Sequence, residues 1–142
     1  MPYHLKFVVD GFFNGSLDEQ PDNEAVMLDL LTCLINIDIR FLKKFPATPS
    51  LYSSGVIYIE ELPGQEDWRD VESVLKHGGG DCEDLACWRI AELRMLGVDA
   101  RPRIEWKLKP DGNQLYHIQV RLPTGEVEDP STKLGMKSSR ST

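Results

Sequence analysis

A cysteine, a histidine and an aspartate stand out as groups able to do chemistry together. Cys82 follows Gly78-Gly79-Gly80-Asp81 and opens an apolar stretch that runs to about Leu96. A cysteine at a helix N-terminus meets unpaired backbone N–H groups, whose partial positive charge favours thiolate over thiol. Glycines before it let other backbone, or a substrate, come close. Thiolate catalysis also needs an imidazole to hold and return a proton, and a third group to orient the imidazole. Of the three histidines, His117 is the one inside a strongly patterned strand, and Asp129 sits just before Pro130 at the end of the next. His77, near the cysteine in sequence, reads as a surface residue at a helix end. No second histidine at ligand spacing points to a transition-metal site.

Register decides whether His117 and Asp129 can meet. Tyr116, Ile118, Val120 and Leu122 form one face of the strand, and Leu115, His117, Gln119 and Arg121 the other. If Pro123-Thr124-Gly125 is a three-residue loop with Gly125 left-handed, Gln119 lies opposite Asp129. His117 is then the diagonal neighbour of Asp129 on the same face, roughly 7–8 Å away along the backbone. A two-residue loop would put them on opposite faces.

The elements that must hold these groups are legible in outline. Residues 5–9 read as a short strand, followed by a turn through Asn14-Gly15-Ser16. Asp22 or Asn23 caps a helix over residues 25–44, with Val26, Leu30, Cys33, Leu34, Ile37 and Phe41 as its apolar face. Residues 55–59 read as a strand, and Asp67 as the cap of a helix over residues 68–77 that the glycines end. The helix from Cys82 is apolar on most sides and therefore buried, with Gly97 as its stop. Three strand-like segments follow, residues 100–108, 115–122 and 126–129, joined by turn sequences as an antiparallel meander. Helices first and strands afterwards give an α+β fold. The chain reads as one domain: a strand and helix over about residues 1–50, a core over about 55–131, and a basic tail over 132–142.

Composition narrows the classes of function. With 41% hydrophobic and 27% charged residues, the chain has no apolar run of membrane-span length. A net charge of −7 argues against nucleic acid as partner, since phosphate contacts need a basic surface. Three cysteines make no even disulfide framework and fit a reducing compartment, with Cys33 and Cys87 as small buried hydrophobes. Residues 1–10 lack the basic-then-apolar pattern of a secretory signal.

Four runs carry a family resemblance: Gly80-Asp81-Cys82-Glu83-Asp84-Leu85-Ala86, Leu96-Gly97-Val98-Asp99-Ala100-Arg101, Tyr116-His117-Ile118-Gln119-Val120 and Glu128-Asp129-Pro130. Over roughly residues 68–131 the chain resembles the transglutaminase-like superfamily, and most of all the bacterial transglutaminase-like cysteine proteinases. The resemblance implies a papain-like core, in which the helix carrying the cysteine packs on an antiparallel sheet carrying histidine and aspartate. It implies Cys82 as nucleophile, His117 as base and Asp129 as orienting carboxylate, acting on a peptide or protein amide. The compact form is also similar to gene products of tailed bacteriophages, so a cytoplasmic or virion-associated place and assembly into a larger particle join the expectations. Residues 1–50 match nothing in the family.

The implied reaction is acyl transfer through a thioester, with the Cys82 backbone N–H meeting the oxyanion. An upstream aromatic, Trp68 or Tyr58, is the family's second donor. The acids around the cysteine work against it. Asp81, Glu83 and Asp84 suit a helix N-terminus, yet their charge raises the pKa of the thiol. An imidazolium offsets this, and so does calcium near those acids, on which some related proteinases depend. The chemistry itself needs no cofactor. The alternative is a non-catalytic interaction or assembly module that keeps the fold.

Overall fold

The computed structural model describes residues 20–61, 67–108, 110 and 114–137. The expected strand over residues 5–9, the turn at 14–16 and the tail beyond 137 lie outside them. The described elements are α1 (Gln20–Lys44), a 3-10 turn (Leu51–Ser53), β1 (Ile57–Tyr58), α2 (Val71–His77), β2 (Gly79–Gly80) and α3 (Cys82–Met95). These are followed by β3 (Arg101–Leu108), β4 (Gln114–Arg121), β5 (Val127–Glu128) and α4 (Pro130–Lys133). The fold is α+β, and no described helix is long and apolar enough to cross a membrane.

α3 is the centre, as its apolar sequence requires. Every residue from Cys82 to Trp88 is buried, as are Ile90, Ala91 and Leu93. One side packs with Met27, Leu31, Leu34 and Ile35 of α1 and with Ile118 and Val120 of β4. The other side, through Leu85, Trp88 and Ala91, packs with Leu42, Leu51, Val56, Val71 and Val74. Burying each large apolar side chain is worth about 1.5–3 kcal/mol, so the helix is held from both flanks.

α1 turns a different face to the core from the expected one. Buried are Asn23, Met27, Leu31, Leu34, Ile35, Asp38 and Leu42, while Ile37 and the expected core residue Cys33 are exposed. α1 has two apolar stripes, and tertiary partners choose between them. Asp38 is the reason a pattern reading goes wrong: it counts against its face, yet its Oδ1 accepts the Val71 N–H at 3.0 Å, a donor the first turn of α2 leaves open. The helix also starts at Gln20, so neither Asp22 nor Asn23 caps it.

α2 is shorter than expected. Its cap is Asp70, which accepts from Ser73 N at 3.0 Å, and not Asp67. Two N–H groups ahead of it are held by carboxylates outside the helix: Asp67 N donates to Glu61 (2.8 Å) and Arg69 N to Asp84 (2.7 Å). Gly78, at φ 78°, ends α2 in the left-handed conformation that glycine adopts without strain.

The next two glycines form a strand that the sequence does not announce. β2 pairs in parallel with β1, Ile57 opposite Gly79 and Tyr58 opposite Gly80. A Cβ at position 79 would lie 2.3 Å from the Ile57 carbonyl oxygen, so this close approach requires glycine. The meander follows the expected order β3-β4-β5, antiparallel throughout. Pro130 begins α4, so the expected tail starts as a helical turn.

Candidate functional site

The start of α3 is built by its acids. Asp81 caps the helix and accepts from Cys82 N at 2.7 Å, while Asp84 Oδ2 accepts from Asp81 N at 3.1 Å. Asp84 Oδ1 holds Arg69 N, which ties the strand-like approach to the helix. This reciprocal cap fixes where Cys82 stands. It also engages the Cys82 N–H that the sequence assigned to an oxyanion. That donor must leave Asp81 before it can serve.

Cys82 is 5% exposed and packs against Ile118, the residue after His117. Its thiol donates to Glu83 Oε2 at 3.2 Å, and among the described residues no hydrogen bond joins it to the imidazole. Burial pushes the thiol pKa well up, and the charges of Glu83 and Asp81 add to this; the Ile118 backbone N–H pulls the other way. Glu83 is 1% exposed, and its Oε1 has no partner among the described residues. Burial, then the charges of Asp84 and Asp81, raise its pKa well above the usual carboxylate range. Asp84 is raised to about 7 by burial, despite the N–H groups of Arg69 and Asp81.

The hairpin assembles the other two groups. Residues 123–125 connect β4 and β5 with Gly125 at φ 91°, and Leu122 N donates to Glu126 O at 2.8 Å. Val120 pairs with Glu128, and the same register sets Gln119 opposite Asp129. His117 Nε2 donates to Asp129 Oδ2 at 2.9 Å, and Gln119 Nε2 donates to the same oxygen at 3.2 Å. Asp129 also caps α4, accepting from Thr132 N at 3.3 Å. Burial would raise the Asp129 pKa, but the His117 hydrogen bond and charge, with Gln119 and Thr132, hold it at about 2. With Nε2 engaged, Nδ1 is the imidazole nitrogen left for a reacting group.

Of the two aromatic candidates, Tyr58 lies at the cysteine. Burial, then the charges of Asp81, Cys82 and Glu60, raises its pKa and keeps it a phenol, hence a donor. Trp68 packs against the core around Cys82. His77 is exposed at the end of α2, and its Nδ1 bonds Ser73 O at 2.8 Å. The sequence reading missed Gln119 as a donor to Asp129, although the register already set the two opposite each other. It also missed Glu61, which has no sequence pattern to mark it.

Two donor sets bear on calcium: Asp81, Cys82 and Glu83, and Glu61, Glu83 and Asp84, each with ligand atoms within 4.8 Å of one another. Their carboxylates suit a hard cation, and the orphaned Glu83 Oε1 lacks a partner. Against this, both oxygens of Asp84 accept backbone N–H groups, and Glu61 accepts from Asp67 N and the Arg69 guanidinium. Calcium takes six to eight oxygens. The free oxygens here supply part of that shell.

Comparison with known proteins bears on the same stretch. The family model of the transglutaminase-like superfamily matches residues 51–131, more than half of the chain. The protein belongs to this superfamily. Comparison with curated proteins and with solved structures returns no match.

Proposed function

We propose that the protein is a cysteine peptidase or amidase that cleaves an amide through Cys82, His117 and Asp129. The observation that carries this reading is the His117 Nε2–Asp129 bond of 2.9 Å, formed on the strand whose next residue meets the cysteine. In the proposed cycle, His117 Nδ1 takes the thiol proton and Cys82 Sγ bonds to the amide carbon. The carbonyl π electrons move to oxygen, where the Tyr58 hydroxyl and the Cys82 N–H are the candidate donors. Collapse breaks the C–N bond, and the imidazolium proton goes to the leaving amine. Water then attacks the thioester while His117 takes its proton, and that proton returns to the sulfur as the acid leaves. An amine in place of water gives transamidation.

Asp129 supports this cycle by fixing the imidazole's orientation through the Nε2 hydrogen bond, which leaves Nδ1 for the thiol. The acidic surface and the family favour a peptide or protein substrate over nucleic acid or a membrane. The chemistry draws on no cofactor. Calcium, if bound, would be held by Asp81 and Glu83 beside Glu61, and it would supply positive charge that lowers the thiol pKa. A thermal-unfolding midpoint unchanged between added calcium and added chelator removes this role.

A second reading is a non-catalytic interaction or assembly module, such as a particle component. The buried thiol, donated to Glu83, favours it. Alkylation by iodoacetamide separates the two. The hydrolase reading expects Cys82 to react with a neutral-pH rate that falls in His117→Ala, and Cys82→Ala to fold but hydrolyse nothing. Cys82 alkylation as slow as that of fully buried Cys87, and indifferent to His117, favours the module.

A further inference from the structure

The β5 strand is too short to hold Asp129 by itself. It has two residues, both paired with β4, and Asp129 comes directly after them. What reinforces it is a set of bonds on the opposite face. Glu128 pairs with Val120, so it shares the face that packs on α3. Its Oε2 accepts from Arg89 Nε at 2.6 Å and from the Tyr52 hydroxyl at 2.6 Å. Its side chain is only 12% exposed.

Arg89 lies about two turns after Cys82, on the same stripe of α3. Its guanidinium stacks over the Tyr52 ring, 5.1 Å from the centroid, and its other arm reaches Glu92 at 3.4 Å. Glu92 in turn accepts Leu51 N at 2.8 Å, so the 51–53 turn is fastened to the same helix. One stripe of α3 therefore presents Cys82 to β4 and Arg89 to the end of β5.

We infer that Arg89, Glu128 and Tyr52 are positioning residues for the catalytic groups. They tie the helix that carries Cys82 to the strand end that carries Asp129, and so keep Asp129 against His117 at the distance the cysteine requires. The charged fork of arginine suits this because it fixes direction as well as distance. A purely structural network would stabilise the fold without affecting the imidazole.

The inference rests on the proposed hydrolase reading only in assigning work to the His117–Asp129 pair. Its test is the solvent exchange of the His117 ring Nε2 proton, followed by NMR in the full chain, alongside the rate of Cys82 alkylation. In the unaltered protein the bond to Asp129 shelters that proton. Positioning predicts that in Arg89→Met Asp129 loosens, exchange of the Nε2 proton speeds about tenfold, and Cys82 alkylation at neutral pH slows about tenfold. Arg89→Lys restores part of both. An unchanged exchange rate of that proton in a folded Arg89→Met protein overturns the inference, whatever happens to the melting temperature. Should Arg89→Met not fold, Tyr52→Phe removes one hydrogen bond and no charge. It is expected to speed the exchange by a smaller factor, and no change there is equally decisive. The exchange measurement needs no reactive thiol, so a failure of the hydrolase reading shows separately, as slow Cys82 alkylation in the unaltered protein.

Discussion

The start of α3 and the β4–β5 hairpin both hold carboxylates at the candidate site, and they hold them by opposite means. At the helix start Glu83 and Asp84 are fully buried with hydrogen-bond donors but no ion pair among the described residues, and burial raises their pKa values. At the hairpin Asp129 faces an imidazole and an amide, and its pKa drops to about 2. Partners, more than burial alone, decide the charge. The lesson is a division of labour: the hairpin carries a fixed negative charge, whereas the helix start holds carboxylates that favour keeping their protons beside a thiol.

The largest test of this contrast is His117→Ala. Without the imidazole, the proposed hydrolysis is expected to fall about 10²–10⁴-fold. The Asp129 carboxyl should also titrate upward from about 2, as followed by carbon-13 NMR. An Asp129 that stays low would mean that Gln119 and Thr132 suffice to hold it, and the contrast between the regions would lose its cause.

Next in size is the pH dependence of stability. Asp84 has a raised pKa in the folded state, so its contribution is fully present below the ordinary carboxylate range and is lost as pH rises from about 4 through about 7. Asp129 has a lowered pKa, so its contribution is present above about 4 and is lost as pH falls through about 2. In urea unfolding at a series of pH values, Asp84→Asn should flatten the decline between pH 4 and 7, on the order of a few kcal/mol at most. An undiminished slope would assign the decline to Glu83 or Asp38, whose pKa values burial also raises.

Gly79→Ala probes the backbone fit of the helix start. Its Cβ would meet the Ile57 carbonyl at 2.3 Å, so a loss of about 1–3 kcal/mol in unfolding free energy is expected. Wild-type stability in that variant would mean that β1 moves aside at little cost. The smallest effect belongs to Gln119→Leu, which removes one donor to Asp129 while His117 remains. It should cost about 1 kcal/mol or less and raise the Asp129 pKa slightly. A large loss of hydrolysis there would give Gln119 an importance equal to that of His117.

The hairpin was the more legible region because its information is local. Period-two alternation from Leu115 to Leu122 and a Pro-Thr-Gly loop define a register, and register sets which side chains share a face. The helix start was legible only in outline. Its glycines and acids mark a capped helix, but that Gly79 and Gly80 pair with Ile57 and Tyr58 depends on a segment far away in the chain. The misread face of α1 has the same origin. Two stripes competed, and the buried Asp38 became acceptable only because Val71 N needed an acceptor.

The sequence by itself determined that Cys82 opens a buried helix and that His117 and Gln119 share a strand face. Both follow from short-range periodicity and capping, whereas whether Asp129 joins them hung on the length of the loop at 123–125, which the structure closes as three residues through Leu122 N and Glu126 O. The tertiary structure alone decided that Glu83 is buried in the core beside the thiol, that Arg69 N finds Asp84, and that Arg89 reaches Glu128. Burial and pairing are properties of where distant segments meet, and on these the charge of each carboxyl at the site depends.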